Sequence, residues 1–142
     1  MQYFEDFAAG QRFASDRLTV DEAAIKEFAA AYDPQPFHLD DAAARHSLFG
    51  GLAASGWHTA ALTMRLIVGS EFRPAGGILG FGGELAWLKP VRPGDELRIE
   101  AEILEILHYP RAGRVTNQAP AATAMALIVP NATSATASAA KT

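Results

Sequence analysis

The chain has 142 residues, with 12 Lys and Arg against 16 Asp and Glu, a formal charge of −4 near neutrality, and no cysteine. That length suits one domain with one core, and mild acidity without a dense basic block argues against nucleic acid or an anionic membrane and toward a small-molecule partner. Disulfides, thiolate nucleophiles and Cys-based metal sites are excluded outright. The amino terminus, Met1-Gln2-Tyr3-Phe4-Glu5-Asp6, lacks the basic segment and apolar run of a secretory signal, and no apolar run is long enough to cross a bilayer, so a cytoplasmic location is expected.

In chain order, residues 13–20 read as a short strand, and Thr19 with Glu22 three positions later has the form of a capping box opening a helix. Ile25, Phe28, Ala29 and Tyr32 follow i, i+3, i+4, i+7 spacing, which predicts one inward face ending at Asp33. Pro34 and Pro36 then keep Asp33 and Gln35 out of helical geometry, because each proline fixes its own φ and pushes the residue before it toward an extended backbone. Residues 40–46 read as a short helical piece. Gly50-Gly51 and Ser55-Gly56 flank a small-residue turn into a longer helix over about 57–68. Trp57, Ala60, Ala61, Leu62, Met64, Leu66, Ile67 and Val68 leave only His58, Thr59, Thr63 and Arg65 as polar breaks, so this helix is expected to be buried.

The period changes in the second half. Residues 78–88 are apolar and broken by glycine; Gly76-Gly77 and Gly82-Gly83 lack the helix and lysine of a phosphate loop and read as turns or bulges. Pro93-Gly94 is type II turn chemistry. Leu97, Ile99, Ala101 and Ile103 alternate with Arg98, Glu100 and Glu102, which predicts a half-buried strand, and residues 122–129 are a candidate last strand. The Ala/Ser/Thr tail over 131–142 is expected to be disordered, leaving a single domain over 1–130. Helices early and strands late point to an α+β domain whose sheet packs on the apolar helix.

The stretch Tyr32-Asp33-Pro34-Gln35-Pro36-Phe37-His38 carries the chemistry. It sets a carboxylate and an imidazole five positions apart on a proline-stiffened loop, where both can converge on one water. His38, His46, His58 and His108 include no His-x-x-x-His pair and no acidic residues join them at ligand spacing, so no metal site is expected. Ser55 has the form of an N-cap and is also a candidate substrate contact. Trp57, Phe81 and Trp87 are candidates for packing, with Trp57 and Phe81 also able to wall a hydrophobic acyl tunnel. His58 reads as a core or interface histidine.

These residues resemble the MaoC-like dehydratases and R-specific enoyl-CoA hydratases, a family with the hotdog fold, in which an antiparallel sheet wraps a central helix. The likeness rests on three segments in order: Tyr32 to His38; Ala54-Ser55-Gly56-Trp57-His58-Thr59; and Trp87-Leu88-Lys89-Pro90-Val91-Arg92-Pro93-Gly94-Asp95. The family motif Asp-x-Asn-Pro-x-His is matched at Asp33, Pro36 and His38, with Gln35 in place of asparagine. Gly56, twenty-three positions after Asp33, matches a family glycine whose N–H helps form an oxyanion hole; Ser55 stands where histidine is common. The resemblance fades after about residue 107: the fourth strand looks cut short near Gly113, and Ala119-Pro120-Ala121 replaces an acidic turn with a residue that cannot donate to a ladder.

The resemblance implies a hydro-lyase acting on an acyl thioester, a 2-enoyl-CoA and its 3-hydroxyacyl-CoA, with CoA as part of the substrate and no metal or redox cofactor. It implies catalytic roles for Asp33, His38 and the Gly56 N–H, and a homodimer. An acyl-CoA thioesterase on the same fold and a silent acyl-CoA-binding module are the alternatives.

Overall fold

The computed structural model describes residues 1–80, 83–108 and 121–128, with Leu107, His108 and the last segment described as backbone. After a 3-10 turn at Phe4–Asp6 come β1 (Arg12–Ala14), β2 (Leu18–Thr19), α1 (Glu22–Tyr32), α2 (Pro36–Leu39), α3 (Asp41–Arg45), α4 (Gly56–Gly69), β3 (Glu96–Leu97), β4 (Glu100–His108) and β5 (Ala121–Ile128). The described strands form two antiparallel ladders, one in the order β1-β4-β5 and one joining β2 to β3.

The strand expected over 13–20 is therefore two strands. Ser15 is the reason: its hydroxyl accepts the Ile99 N–H at 3.0 Å, where a continuous ladder would use a backbone carbonyl, and this parts β1–β4 from β2–β3. The alternation at Leu97, Ile99, Ala101 and Ile103 is nonetheless complete, since all four are at most 3% exposed across the interruption. They form the core with Val20, Ile25, Leu52, Val91, Leu66 and Ile67. The candidate last strand is β5, which pairs with β4 from Glu100↔Ile128 to His108↔Ala121. The shortened strand near Gly113, the Ala119-Pro120 turn and the 131–142 tail lie outside the described residues.

Helix α1 opens at Asp21 and not at Thr19. Thr19 is paired with Glu96 in β2, and Val20 donates to the Asp95 carbonyl and accepts from Gly94 N, so the chain stays extended until Asp21, whose carboxylate takes the Ala24 N–H at 2.9 Å. Ile25 and Ala29 face inward as expected, but Tyr32 is 75% exposed and leans on Phe28 with ring centroids 5.0 Å apart. The Pro93-Gly94 turn is present: Gly94 has φ +85 and Asp95 N bonds the Arg92 carbonyl at 3.1 Å.

The buried face of α4 departs most from expectation. His58, Thr59, Thr63, Leu66 and Ile67 are buried, while Trp57, Met64 and Val68 are 61%, 41% and 58% exposed. Two threonines can be buried because each hydroxyl donates back to the helix, Thr59 to the Ser55 carbonyl and Thr63 to the Thr59 carbonyl, so neither hydroxyl is left unpaired. Of the apolar residues that suggested complete burial, Leu66 and Ile67 are buried, whereas Trp57, Ala61, Met64 and Val68 face outward. Leu85 and Leu88, in the segment before Pro90, are exposed as well.

Candidate active site

Asp33 closes α1, its N–H bonding the Ala29 carbonyl and its backbone leaving the helix at φ −151. Pro36 then starts a new single turn, α2, which the sequence pattern did not disclose; proline at the first helical position is preset for it. His38 lies on that turn, 4% exposed, with Nε2 3.3 Å from Asp33 Oδ2. Its other nitrogen, Nδ1, lies 2.6 Å from the Ala53 carbonyl oxygen. A carbonyl only accepts, so Nδ1 carries the hydrogen, and in the neutral ring Nε2 presents a lone pair toward Asp33. In that state the two atoms are both acceptors 3.3 Å apart, and one donor with two hydrogens seated beside the pair can serve both.

The carboxylate is held from both sides. Ser55 Oγ donates to Oδ2 at 2.6 Å, and Gln35 Nε2 donates to Oδ1 at 2.7 Å. The Ser55 hydrogen bond, then that of Gln35, holds the Asp33 carboxyl below the usual carboxylate range against the opposing effect of burial, and His38 adds to this only when it carries a positive charge. Its side chain remains 19% exposed, so the anion is partly open to solvent. Among the described residues, no group of three or more His, Asp or Glu stands where it could hold a metal ion.

Ser55 also acts as the N-cap of α4, its hydroxyl oxygen accepting the Trp57 N–H at 3.2 Å. Gly56 is the first residue of that helix, where the N–H has no intrahelical acceptor and the dipole is positive. The close neighbour that requires glycine here is Trp87: a Cβ at position 56 would stand 2.7 Å from the indole ring, and Trp87 Nε1 donates to the Gly56 carbonyl at 2.9 Å. Trp57 points outward, edge-on to Trp87 at 5.5 Å. Phe81 lies outside the described residues. The structure thus brings Asp33, His38 and Ser55 together with Gly56 adjacent, and sets Trp57 on the surface.

The segment that supplies Ala53 and Ser55 is fixed by Arg92. Its guanidinium donates through Nη1 to the Gly51 and Leu52 carbonyls at 2.7 and 3.1 Å, and through Nη2 to the Phe49 carbonyl. The Ala54 N–H bonds the Val91 carbonyl at 2.8 Å. No signal in the sequence marks Arg92 for this task, because its acceptors are backbone atoms some forty residues away.

His58 stacks on Phe28 at 4.7 Å, is 5% exposed, and has a buried Nδ1 with no hydrogen-bond partner among the described residues. Burial pushes its pKa below the usual 6.5. The unfolded chain therefore binds this proton more readily, so the stability carried by neutral His58 is fully present above about pH 6.5 and is lost as pH falls toward the folded value. We expect His58→Phe to flatten that slope. Urea midpoints at pH 7.5 and pH 5 check it; an equal drop in both proteins would contradict it.

Residues 6–124 match the model of the MaoC like domain. The chain belongs to this family. The structure of the MaoC-like dehydratase from Rhodospirillum rubrum is similar over all of this chain and 99% of that one, at 47% identity and a TM-score of 0.79. An (R)-hydratase from A. caviae, described as involved in PHA biosynthesis, is similar over 94% of each chain at 25% identity and a TM-score of 0.67. YdeM of Bacillus subtilis strain 168 is 34% identical over 102 residues, 71% of this chain and 72% of that protein. The fold is accordingly the hotdog fold, with the antiparallel strands packed on α4, and the MaoC-like protein described here is a hydro-lyase of the dehydratase and hydratase class.

Proposed function

We propose that this MaoC-like protein adds water to, or removes it from, the 2,3 position of an acyl-CoA thioester. The observation that carries the reading is the facing of Asp33 Oδ2 and His38 Nε2 at 3.3 Å, with the histidine tautomer set by the Ala53 carbonyl. A water seated beside both atoms donates one hydrogen to each and turns its oxygen lone pair toward C3. In hydration the water oxygen bonds C3, its proton passes to the Asp33 carboxylate, and Asp33 returns a proton to C2; His38 orients and activates the water. Dehydration reverses these steps. Negative charge that builds on the thioester oxygen meets the Gly56 N–H at the positive end of α4, and one such donor is worth about 3 kcal/mol of barrier. The likeness to an (R)-hydratase supports a hydration or dehydration reaction.

We also propose that the protein works as a homodimer, because Trp57, Met64 and Val68 are exposed at i, i+7 and i+11 along one face of α4, an apolar stripe that pairing would cover. Light scattering should give at least twice the chain mass of 15.1 kDa; a monomer at assay concentration would defeat this.

The test of function is the ultraviolet absorbance of crotonyl-CoA incubated with the protein, beside a free-thiol assay. Loss of the conjugated-thioester band without thiol release supports hydration. Thiol release would make the protein a thioesterase, and binding without turnover an acyl-CoA-binding module.

A further inference from the structure

Gln35 is bonded to both members of the Asp33–His38 pair. Its N–H donates to the Asp33 carbonyl at 2.7 Å, its carbonyl accepts the His38 N–H at 2.9 Å, and its side-chain amide donates to Asp33 Oδ1 at 2.7 Å. Only the NH2 end of the amide can face a carboxylate, so the orientation of the side chain is fixed by chemistry.

An exposed glutamine ordinarily loses rotamer freedom when it is held, and a single surface hydrogen bond barely offsets that. Here the backbone part of the cost is already met. Pro36 confines Gln35 to extended geometry, observed at φ −87 and ψ 141, and Pro34 stiffens the step before it. A hydrogen bond to an ionised acceptor is also stronger than one between neutral groups. The amide therefore has both a preset position and a reason to stay.

Ser55 already engages Oδ2, the oxygen that faces His38. With one donor alone the carboxylate plane is free to turn about its last torsion and carry its oxygen away from His38; a donor on each oxygen fixes that plane. We propose that Gln35 is a positioning residue of this site, its amide holding Asp33 with Oδ2 turned toward His38 and favouring the anionic form of the carboxylate. The proposal rests on the hydro-lyase reading for its link to turnover, but the anchoring itself does not. Among the described residues, His38 is the titratable group that faces Asp33; Ser55 and Gln35 are the neutral donors, and their hydrogen bonds lower its pKa.

The experiment is a carbon-13 titration of the Asp33 carboxyl in the full chain, assigned with Asp33→Asn, in wild type, Gln35→Ala and Gln35→Glu. The Asp33 midpoint should move upward in Gln35→Ala, which removes a donor, and further in Gln35→Glu, which sets a second anion beside it. The acid limb of kcat/KM on crotonyl-CoA should move in the same direction and order. An Asp33 midpoint that is the same in all three proteins overturns the anchoring. A midpoint that moves while the acid limb stays in place overturns the role in turnover. If wild type does not turn over crotonyl-CoA and the midpoint still moves, the anchoring is upheld and the substrate reading fails by itself. Both substitutions lie at an exposed side chain outside the core, so folded protein is expected for each.

Discussion

Asp33→Asn should lower kcat/KM for crotonyl-CoA hydration by about a hundred- to ten-thousand-fold, the range that a positioned acid or base contributes. Asparagine keeps the shape of the side chain and one oxygen that can still accept from Ser55 Oγ, now 2.6 Å from Oδ2. What is lost is the ability to take a proton from water and return it. The far-ultraviolet spectrum and the mass in solution should be unchanged, so the loss will read as chemistry and not as unfolding. A variant that retained more than about a tenth of wild-type kcat/KM would remove Asp33 from proton transfer, since the smallest contribution expected of such a group is larger than that.

Arg92→Leu should be the most damaging single change away from the pair. Leucine fills part of the space but leaves the carbonyls of Phe49, Gly51 and Leu52 without their donor. Charge-assisted hydrogen bonds contribute about 1.5–3 kcal/mol each and are not additive within one side chain, so a total loss of about 3 kcal/mol is expected. For a domain of this size that lowers Tm by roughly 10 °C. Activity should fall even well below the melting temperature, because Ala53 and Ser55 follow directly and hold His38 and Asp33. Arg92→Lys keeps the charge without the planar fork and should fall between wild type and Arg92→Leu in both respects. Thermal melts and kcat/KM at 20 °C check this; a Tm within about 2 °C of wild type for Arg92→Leu would show that these bonds are replaced by water.

The proximity of Asp33 and His38 was legible in the sequence because it is local: two prolines and a five-residue spacing leave the chain little freedom. The alternating strand was legible for the same reason, since Leu97 to Ile103 repeats with the period of the pleat. The orientation of α4 was not. Counting apolar residue types predicted burial on most sides, whereas the packing buries Leu66 and Ile67 together with Thr59 and Thr63, whose hydroxyls satisfy themselves within the helix, and leaves Trp57, Met64 and Val68 exposed. The Ser55 bond to Asp33 was equally hidden, because it spans twenty-two residues and depends on a loop pinned from Arg92. The cap at Asp21 was displaced from Thr19 by strand pairing, which is a tertiary constraint acting on a local choice. Long-range contacts made through backbone atoms leave no pattern in residue types, and they account for most of what the sequence did not disclose.

The Ser55 hydroxyl has a single hydrogen, given to Asp33, and it receives the Trp57 N–H on its oxygen. Donation and acceptance through one oxygen strengthen each other. When Asp33 gains a proton, the pull on that hydrogen weakens, and the grip of the same oxygen on the opening turn of α4 weakens with it. Gly56 lies between the two bonded residues. The charge on Asp33 and the capping of α4 are thus joined through one hydroxyl, so the carboxylate and the first amides of the helix share a single support.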